Sequence, residues 1–250
     1  MDILLKLAFL FFVGSMAGWV LEVFYRRFFS SSNPERRWIN PGFLTGPCLP
    51  LYGFSLCVLY LLASLEPGLH IANPALRKAM LFTIMALCVT GVEYVAGLIF
   101  IKGMHIKLWD YSKQRGNIKG IICPKFTFFW WVLSAAYYFF VHPYILGGLA
   151  WLANNLAFSF FIGLFFGVFA VDFATAVHLA AKIRAFAKAN GITVRYEELK
   201  KSIRDGKEQA REKARFALSM YSRTPLNKSL LAYATKHQAD AAADGCAPRQ

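Results

Sequence analysis

The chain has 250 residues, 57% of them hydrophobic and 17% charged, and a mean hydropathy of +0.42. Because soluble domains are about one quarter charged, this composition excludes an ordinary soluble globular domain and indicates an integral membrane protein. The net charge of +14 does not call for nucleic acid, and we predict no nucleic-acid partner, because Lys and Arg gather on the cytoplasmic side of membrane proteins.

Five apolar segments are long enough to cross a bilayer as helices. A hydrocarbon core of ~30 Å needs ~20 mostly apolar helical residues, and in lipid every backbone polar group must be paired internally. The sequence therefore predicts an all-α polytopic bundle of about five transmembrane helices, with spans at 3–25, 47–65, 79–101, 126–147 and 153–179. The first span lacks the positive leading region of a signal peptide and continues past its small residues, which favours a span.

The distribution of basic residues over the loops predicts the orientation in the membrane. The loop at 26–46 has four arginines against one glutamate, and the loop at 102–125 has six basic residues against one aspartate. With five spans these loops and the basic tail fall on one side, which the positive-inside rule makes cytoplasmic. We therefore expect a multi-pass protein of the bacterial cell (inner) membrane, with its N-terminus outside and its C-terminus in the cytoplasm.

Composition divides the chain into three parts. Residues 1–180 are the predicted transmembrane bundle, residues 181–238 a basic cytoplasmic helical tail, and residues 239–250 a disordered C-terminus. A tail helix at about 195–220 carries mixed charges and a thin apolar stripe. That helix is most simply solvated, although contact with anionic lipid or with a partner also fits the pattern.

Three acidic residues lie inside predicted spans, where an ionisable group is costly and usually functional. Glu22, Glu93 and Asp172 belong to spans 1, 3 and 5, which run in the same direction, and all three fall in the cytoplasmic half. One interpretation is a convergent acidic site beneath the basic loops. The other is structural pairing within the bundle, for example between Glu22 and Arg26 four residues later. The sequence leaves both open.

Glycines accompany the acidic residues on all three spans, and in span 3 Gly97 lies four residues after Glu93. Gly14 and Gly18 share a helix face with Glu22 at four-residue spacing, and Gly163 and Gly167 repeat that spacing in span 5. Small residues at such positions let a second helix approach closely. We therefore expect helix–helix contacts at both glycine pairs.

A stretch rich in helix breakers, NPGFLTGPCLPLYGF, occupies residues 40–54, where the second span should begin. Pro47 fits the first turn of a helix, so span 2 is expected to start there, after a re-entrant cytoplasmic turn that needs protein cover at membrane depth. The loop at 117–124 is a weak counterpart in the second half of the chain. This pairing predicts that Asn40 and Asn117 are neighbours.

The loop at 102–124 is the densest in chemical groups. Trp109 and Tyr111 fit the aromatic belt of a membrane interface better than a ligand site, whereas Asp110 among the lysines is more distinctive. His105 has no His or Cys partner at metal-ligand spacing. The five cysteines of the chain show no CxxC pairing, so we interpret them as reduced structural thiols.

Four motifs carry a family resemblance. In chain order they are GWVLEVFYR, NPGFLTGPCLPLYGF, GVEYVAG and LWDYSKQRGNIKGIIC, and over about residues 5–147 they are similar to the putative ABC-transporter permease family of the CmpB type. The resemblance implies a small polytopic bacterial membrane protein named for transport. Together with Asp172, eleven of the positions that it marks are the candidate residues of a substrate path or a structural polar cluster: Glu22, Asn40, Gly42, Gly46, Tyr52, Glu93, Trp109, Asp110, Tyr111, Asn117 and Gly120.

Two departures from the family pattern concern basic residues. The family has Asn-Arg-Gly where this chain has Asn40-Pro41-Gly42, and Gly-Arg where this chain has Gly120-Ile121. The loss of both arginines puts an inherited anion-binding role in doubt, unless nearby basic residues replace them: Arg36, Arg37, Lys119 and Lys125.

The resemblance implies an ABC-transporter-type permease subunit that moves an unknown substrate. The sequence holds no P-loop or other nucleotide-binding motif, so a separate ATPase subunit is the expected partner, along with membrane lipids. A homo-oligomer is left open, and we predict no catalytic residue, no metal and no cofactor. Two alternatives remain: a membrane-embedded enzyme acting on a lipid or amphipathic substrate at the cytoplasmic face, and a non-catalytic membrane scaffold.

Overall fold

The computed structural model describes residues 2–30 and 33–208, with side chains up to residue 203. These residues form two compact units. The first contains residues 2–30, 33–97 and 111–178, and the second contains residues 98–110 and 179–208. The end of the expected tail helix at 195–220 and the expected disordered segment at 239–250 lie outside the described residues.

The first unit consists of apolar helices, and the last of them extends beyond residue 178 into the second unit. The helices are α1 (Ile3–Phe28), α2 (Pro50–Ser64), α3 (Pro74–Leu98), α4 (Pro124–Ala136), α5 (His142–Asn154) and α6 (Ser159–Ala189). Among the described residues, five helical segments are long and apolar enough to cross a membrane: Ile3–Phe28, Pro50–Gly68, Pro74–Gly103, Pro124–Asn154 and Leu156–Ala189. The predicted all-α membrane bundle with five spans is confirmed.

Proline begins three of these helices. Pro50, Pro74 and Pro124 lie in the first turns of α2, α3 and α4, where the missing N–H would have had no partner in any case. The second span thus starts at Pro50 rather than at Pro47 as expected, because Leu49 has an extended backbone with φ −118° and ψ 94°. The other two helices begin a few residues earlier than the apolar windows suggested.

The fourth span is two helices joined by a wide turn. A π-helical segment at Tyr137–Val141 separates α4 from α5. Pro143 is the second residue of α5, and without an N–H it cannot form the regular helical hydrogen bond to the carbonyl of Phe139. Such π-bulges are a usual way to absorb a break in an α-helix, so the span continues through the turn to Asn154.

Close packing of α1 on α2 depends on glycine. A Cβ added at Gly18 would lie 2.3 Å from the Cβ of Tyr52, and one added at Gly14 would lie 2.9 Å from the Cβ of Leu56. The predicted small-residue contact is therefore confirmed on α1. At Gly163 and Gly167 of α6 the expectation is wrong, because no atom of the described residues comes within 4 Å of an added Cβ.

Phenylalanine rings join α6 to α1 instead. The rings of Phe12 and Phe165 lie 4.8 Å apart between centroids, and those of Phe11 and Phe166 lie 5.6 Å apart in a stacked geometry. The opposite side of α6 remains exposed, as expected of a helix that faces lipid.

The apolar core occupies one end of the first unit. It combines residues of the first half of α1, the second half of α2, the first half of α3, the wide turn and α5: Leu10, Tyr60, Ala63, Leu81, Phe82, Met85, Tyr137, Ile145 and Leu149. The predicted acidic residues of α1 and α3 lie in the other halves of these helices. The bundle is thus apolar toward one end and polar toward the other.

The second unit contains the two strands of the described chain. β1 (Ile106–Lys107) and β2 (Val194–Arg195) pair in parallel, and α7 (Tyr196–Glu208) follows directly. Ile106, Val194 and Leu199 are fully buried. The predicted tail helix is therefore present from Tyr196 as far as the description extends, with the apolar stripe on its buried side.

We predict that Gly18→Ala destabilises the bundle by about 1–3 kcal/mol, because the new methyl group overlaps Tyr52. Gly163→Ala is the matched control, since it places the same methyl group on a helix where the described residues leave room. The thermal midpoint of the detergent-purified protein, followed by intrinsic fluorescence, measures both. Equal midpoints for the two variants would contradict the packing described for α1 and α2.

Candidate functional site

Glu93 of α3 is the most deeply buried carboxylate among the described residues, with 4% of its surface exposed. Its Oε1 accepts a hydrogen bond from the Tyr111 hydroxyl at 3.1 Å, and its Oε2 accepts one from the Trp130 indole N–H at 3.0 Å. Both donors are neutral, and no cation of the described residues forms an ion pair with Glu93. A buried carboxylate with only neutral partners is unusual, because burial of a charge normally requires a counter-charge.

Glu22 of α1 has a different set of partners. Its Oε1 pairs with Nε of Arg26 at 3.0 Å, and its Oε2 accepts a hydrogen bond from the Tyr52 hydroxyl at 3.1 Å. The structural pairing considered from the sequence is therefore present. It uses one carboxylate oxygen and leaves the other to face α2.

An aromatic contact connects the two glutamates. The ring of Tyr52 lies edge-on to the ring of Trp130, with 6.3 Å between centroids. Glu22, Tyr52, Trp130, Glu93 and Tyr111 thus form a continuous row, which we call the polar chain. It joins α1, α2, α3 and α4 to the loop before α4, and it brings together four of the residues predicted from the sequence.

Trp130 is the member of the polar chain that the sequence analysis missed. It lies in an apolar span among other aromatic residues, where a membrane-facing ring is the ordinary interpretation. The available signal is its indole N–H, a donor that needs an acceptor when it is buried. Glu93 is such an acceptor on a neighbouring span.

Tyr111 closes the polar chain from the loop. Burial, then the charge of Glu93, raises the pKa of the Tyr111 phenol above its ordinary value of 10.0, and the charge of Glu22 adds to this effect. The hydroxyl therefore keeps its proton and donates a hydrogen bond to Glu93. The Tyr111 ring stacks on Phe126 at 4.4 Å, and its backbone N–H bonds to the Gly120 carbonyl at 2.9 Å.

Asn40 organises the loop between α1 and α2. Its Oδ1 accepts hydrogen bonds from the Gly42 N–H at 3.1 Å and from the Trp19 indole at 2.9 Å. Its Nδ2 donates to the carbonyls of Leu44 and Thr45, each at 3.0 Å. One side chain thereby folds the turn and ties it to α1, one helical turn before Glu22.

Asp172 of α6 holds the same loop from the other side. Its two carboxylate oxygens accept the backbone N–H groups of Thr45 at 3.0 Å and of Gly46 at 2.9 Å. Asp172 is thus a loop anchor and not a member of the polar chain. Cys48 lies beneath the loop with 5% of its surface exposed, and burial together with the charge of Asp172 raises the pKa of its thiol.

Asn117 organises the loop between α3 and α4 in a similar way. Its Oδ1 accepts the Gly120 N–H at 2.9 Å, and its Nδ2 donates to the carbonyls of Ser112 at 3.1 Å and Gln114 at 2.8 Å. Lys119 and Gly120 form a tight turn with φ values of 54° and 65°, the backbone of a type I′ turn. Asn117 bonds within its own loop, and its expected proximity to Asn40 stays a prediction.

The tight turn directs Ile121 into the bundle. This side chain is almost fully buried, and a Cβ added at Gly97 of α3 would lie 2.3 Å from its Cγ2. Ile121 stands where the family pattern has arginine, so in this chain the position contributes packing instead of charge.

Trp109 and Asp110 belong to the second unit. Asp110 forms ion pairs with Lys107 at 2.7 Å and with Arg195 at 3.2 Å, so its carboxylate joins the β1 segment to β2. This arrangement gives Asp110 a structural role. Within residues 2–30 and 33–208, no three His, Cys, Asp or Glu side chains gather in a way that could hold a metal ion.

A family model described as putative ABC-transporter type IV matches residues 9–177. No curated protein and no solved structure matches the chain. The match contains the polar chain, both asparagine-organised loops and most of α6. The resemblance seen in the sequence covered about residues 5–147, and the family match extends through most of span 5, so Asp172 falls within it.

We expect Asn117→Ala to loosen the loop at 111–123, because three hydrogen bonds are lost together. Trypsin can cut after the basic residues of this loop, so limited proteolysis of the purified protein should become several times faster there. Asn155→Ala removes a comparable hydrogen bond, to Trp151, and should leave cleavage at 111–123 unchanged. Unaltered cleavage in Asn117→Ala would show that the loop does not depend on this side chain.

Asp172→Ala should expose Cys48 to alkylation. Losing the carboxylate releases two backbone N–H groups and lowers the thiol pKa, because the negative charge and part of the burial that raise it are removed. Both changes increase the thiolate at neutral pH. The maleimide reaction rate of a variant retaining only Cys48 measures the effect. Thr175→Ala, which removes a hydroxyl bonded to the Asp172 carbonyl, is the control and should react as slowly as the parent.

Proposed function

Because the chain belongs to the family of putative ABC-transporter type IV proteins, we propose that it is the membrane-spanning permease subunit of an ABC-type transporter. In this proposal the polar chain lies on the path of the substrate. The family supports transport in general terms, whereas the assignment of the path rests on the buried residues of the first unit.

The single observation that carries this proposal is the environment of Glu93. An ionisable residue in a transmembrane helix costs ~2.5–3.5 kcal/mol at the helix centre on insertion scales. An apolar residue would avoid that cost if Glu93 only filled space. Glu93 instead receives one neutral donor from α4 and one from the loop, and no basic side chain of the described residues forms an ion pair with it. The Glu93 carboxyl group in this arrangement can bind and release a cation or a proton.

The setting of the polar chain also supports a path. It reaches from the Arg26–Glu22 pair on α1 to Tyr111 in the loop before α4. Loop charge favours the cytoplasmic side for this end of the bundle, with the N-terminus outside and the C-terminus inside the bacterial inner membrane. Because the sequence carries no nucleotide-binding motif, a separate ATPase subunit would supply the energy from that side.

A membrane scaffold is the second candidate function. It is favoured by the hydrogen bonding of Asn117 and of Asp172, whose polar groups are used to hold loops. The enzyme alternative has less support, since Asp110, its most distinctive acidic group, is engaged by Lys107 and Arg195.

Glu93→Gln should abolish transport without unfolding the protein. Glutamine keeps the shape of the side chain and one carbonyl acceptor, but it carries no charge and takes up no proton. The metabolites whose ratio between cells and medium changes in a deletion strain define the readout. Complementation with Glu93→Gln should restore less than a tenth of the change that the parent restores, at equal protein abundance in the membrane.

Glu66→Gln is the matched control. Glu66 lies at the end of the second span, forms an ion pair with Arg77 and accepts a hydrogen bond from Tyr138. It should restore transport. Full restoration by Glu93→Gln would remove Glu93 from the path, and reduced abundance with unchanged activity per molecule would favour the scaffold. A tagged protein that copurifies with no nucleotide-binding subunit would contradict the ABC-type assignment.

A further inference from the structure

A groove opens on the first unit between α3, α4 and the loop that precedes α4. Its volume is about 420 Å³, and its walls include Leu87 from α3, Phe128 and Trp131 from α4, and Ile118 and Ile122 from the loop. Leu87, Ile118 and Phe128 each expose more than half of their surface. The groove is therefore open to the surroundings of the bundle and is not a sealed cavity.

Hydroxyl groups in the walls are already bonded to the protein. Thr83 donates to a carbonyl of its own helix at 2.8 Å and accepts the Trp131 indole N–H at 3.2 Å. Thr127 donates to a carbonyl one turn earlier and accepts the Thr90 hydroxyl, both at 3.3 Å. Because these polar atoms have partners, the walls present mainly carbon to an occupant, and a hydrocarbon chain suits them.

Four basic residues lie beside the groove in sequence: Lys113, Arg115, Lys119 and Lys125. All four are exposed, and none has a side-chain hydrogen bond or an ion pair within the part of the chain that the structure describes. Three of them directly follow or precede residues that line the groove. The edge of the groove formed by this loop, here called the rim, thus carries positive charge for which the described residues supply no counter-charge.

One tight turn presents both the apolar wall and the charge. Ile118 and Ile122 form an antiparallel bridge, with the Ile118 N–H bonded to the Ile122 carbonyl at 2.9 Å. The Ile121 N–H closes the turn onto the Ile118 carbonyl at 3.0 Å. Lys119 and Gly120 occupy its tip with positive φ. The lysine is therefore held next to the isoleucine that lines the groove.

We propose that this groove binds one anionic phospholipid of the surrounding bilayer, with an acyl chain in the groove and the phosphate against the basic residues of the loop. Lipid fits because the groove is apolar and opens to the surroundings of a transmembrane bundle. A negative headgroup fits because the rim carries positive charge that the described residues do not neutralise. This site is separate from the polar chain and does not depend on the proposed transport function.

The test measures lipid binding to the purified full-length protein by native mass spectrometry. Phosphatidylglycerol and phosphatidylcholine with identical acyl chains are compared, so that the headgroup charge is the only difference. We expect one phosphatidylglycerol molecule to bind at least tenfold more tightly than phosphatidylcholine. Equal affinity for the two lipids would overturn the proposal.

Two sets of variants separate the groove from general surface attraction. Arg115→Glu with Lys119→Glu should lower the affinity for phosphatidylglycerol at least tenfold, whereas Lys102→Glu with Lys188→Glu changes the net charge equally and should not. An equal loss in both double variants would mean nonspecific attraction and would overturn the proposal.

Leu87→Trp fills the groove and should weaken both lipids at least fivefold, while Val95→Trp, at another exposed position of α3, should have no effect. If the tryptophan variant fails to fold, Phe128→Ala replaces it. This variant removes part of the groove wall without adding bulk and should also weaken both lipids at least fivefold. Far-ultraviolet circular dichroism and gel filtration establish folding. Unchanged lipid affinity in the folded groove variants would also overturn the proposal.

Discussion

The burial of the Glu93 carboxylate is the constraint on which the polar end of this bundle depends. In a membrane, a buried polar group must find its partners within the protein. Glu93 finds them by drawing the Trp130 indole from α4 and the Tyr111 hydroxyl from the following loop. The loop must then be folded closely enough for Tyr111 to reach α3, which requires the turn organised by Asn117. The conformation of this loop and the contact between α3 and α4 at the polar end therefore depend on one buried carboxyl group.

The two halves of the bundle surround their glutamates with similar hydrogen-bond partners, but they differ in whether a cation is among those partners. In each half, a glutamate late in one helix accepts a hydrogen bond from an aromatic side chain of the next helix, Tyr52 or Trp130. In each half, an asparagine folds the intervening loop. The difference lies in the remaining carboxylate oxygen, which meets the charged Arg26 at Glu22 and a neutral phenol at Glu93. The second half is thus the one whose glutamate has no cationic partner among the described residues.

The five spans and most residues of the polar chain could be predicted from the sequence, because the sequence signals for them are local. Apolar runs of sufficient length gave the five spans, and residue type with span position identified Glu22, Tyr52, Glu93 and Tyr111. The missing parts depend on tertiary partners. Trp130 looks like any lipid-facing aromatic residue until Glu93 is beside it. The contrasting surroundings of Gly18 and Gly163 likewise cannot be read from spacing, since both occur at the same four-residue interval.

The hydrogen bond between the Trp130 indole and Glu93 makes the fluorescence of Trp130 a built-in probe of the state of Glu93. An indole whose N–H points at a carboxylate experiences a strong local field, and that field changes when the carboxylate gains a proton or a cation. The chain contains six tryptophans, so replacement of the other five would leave a single emitter at the centre of the polar chain. Its emission would follow the charge of Glu93 directly, without any added label and before the substrate is known.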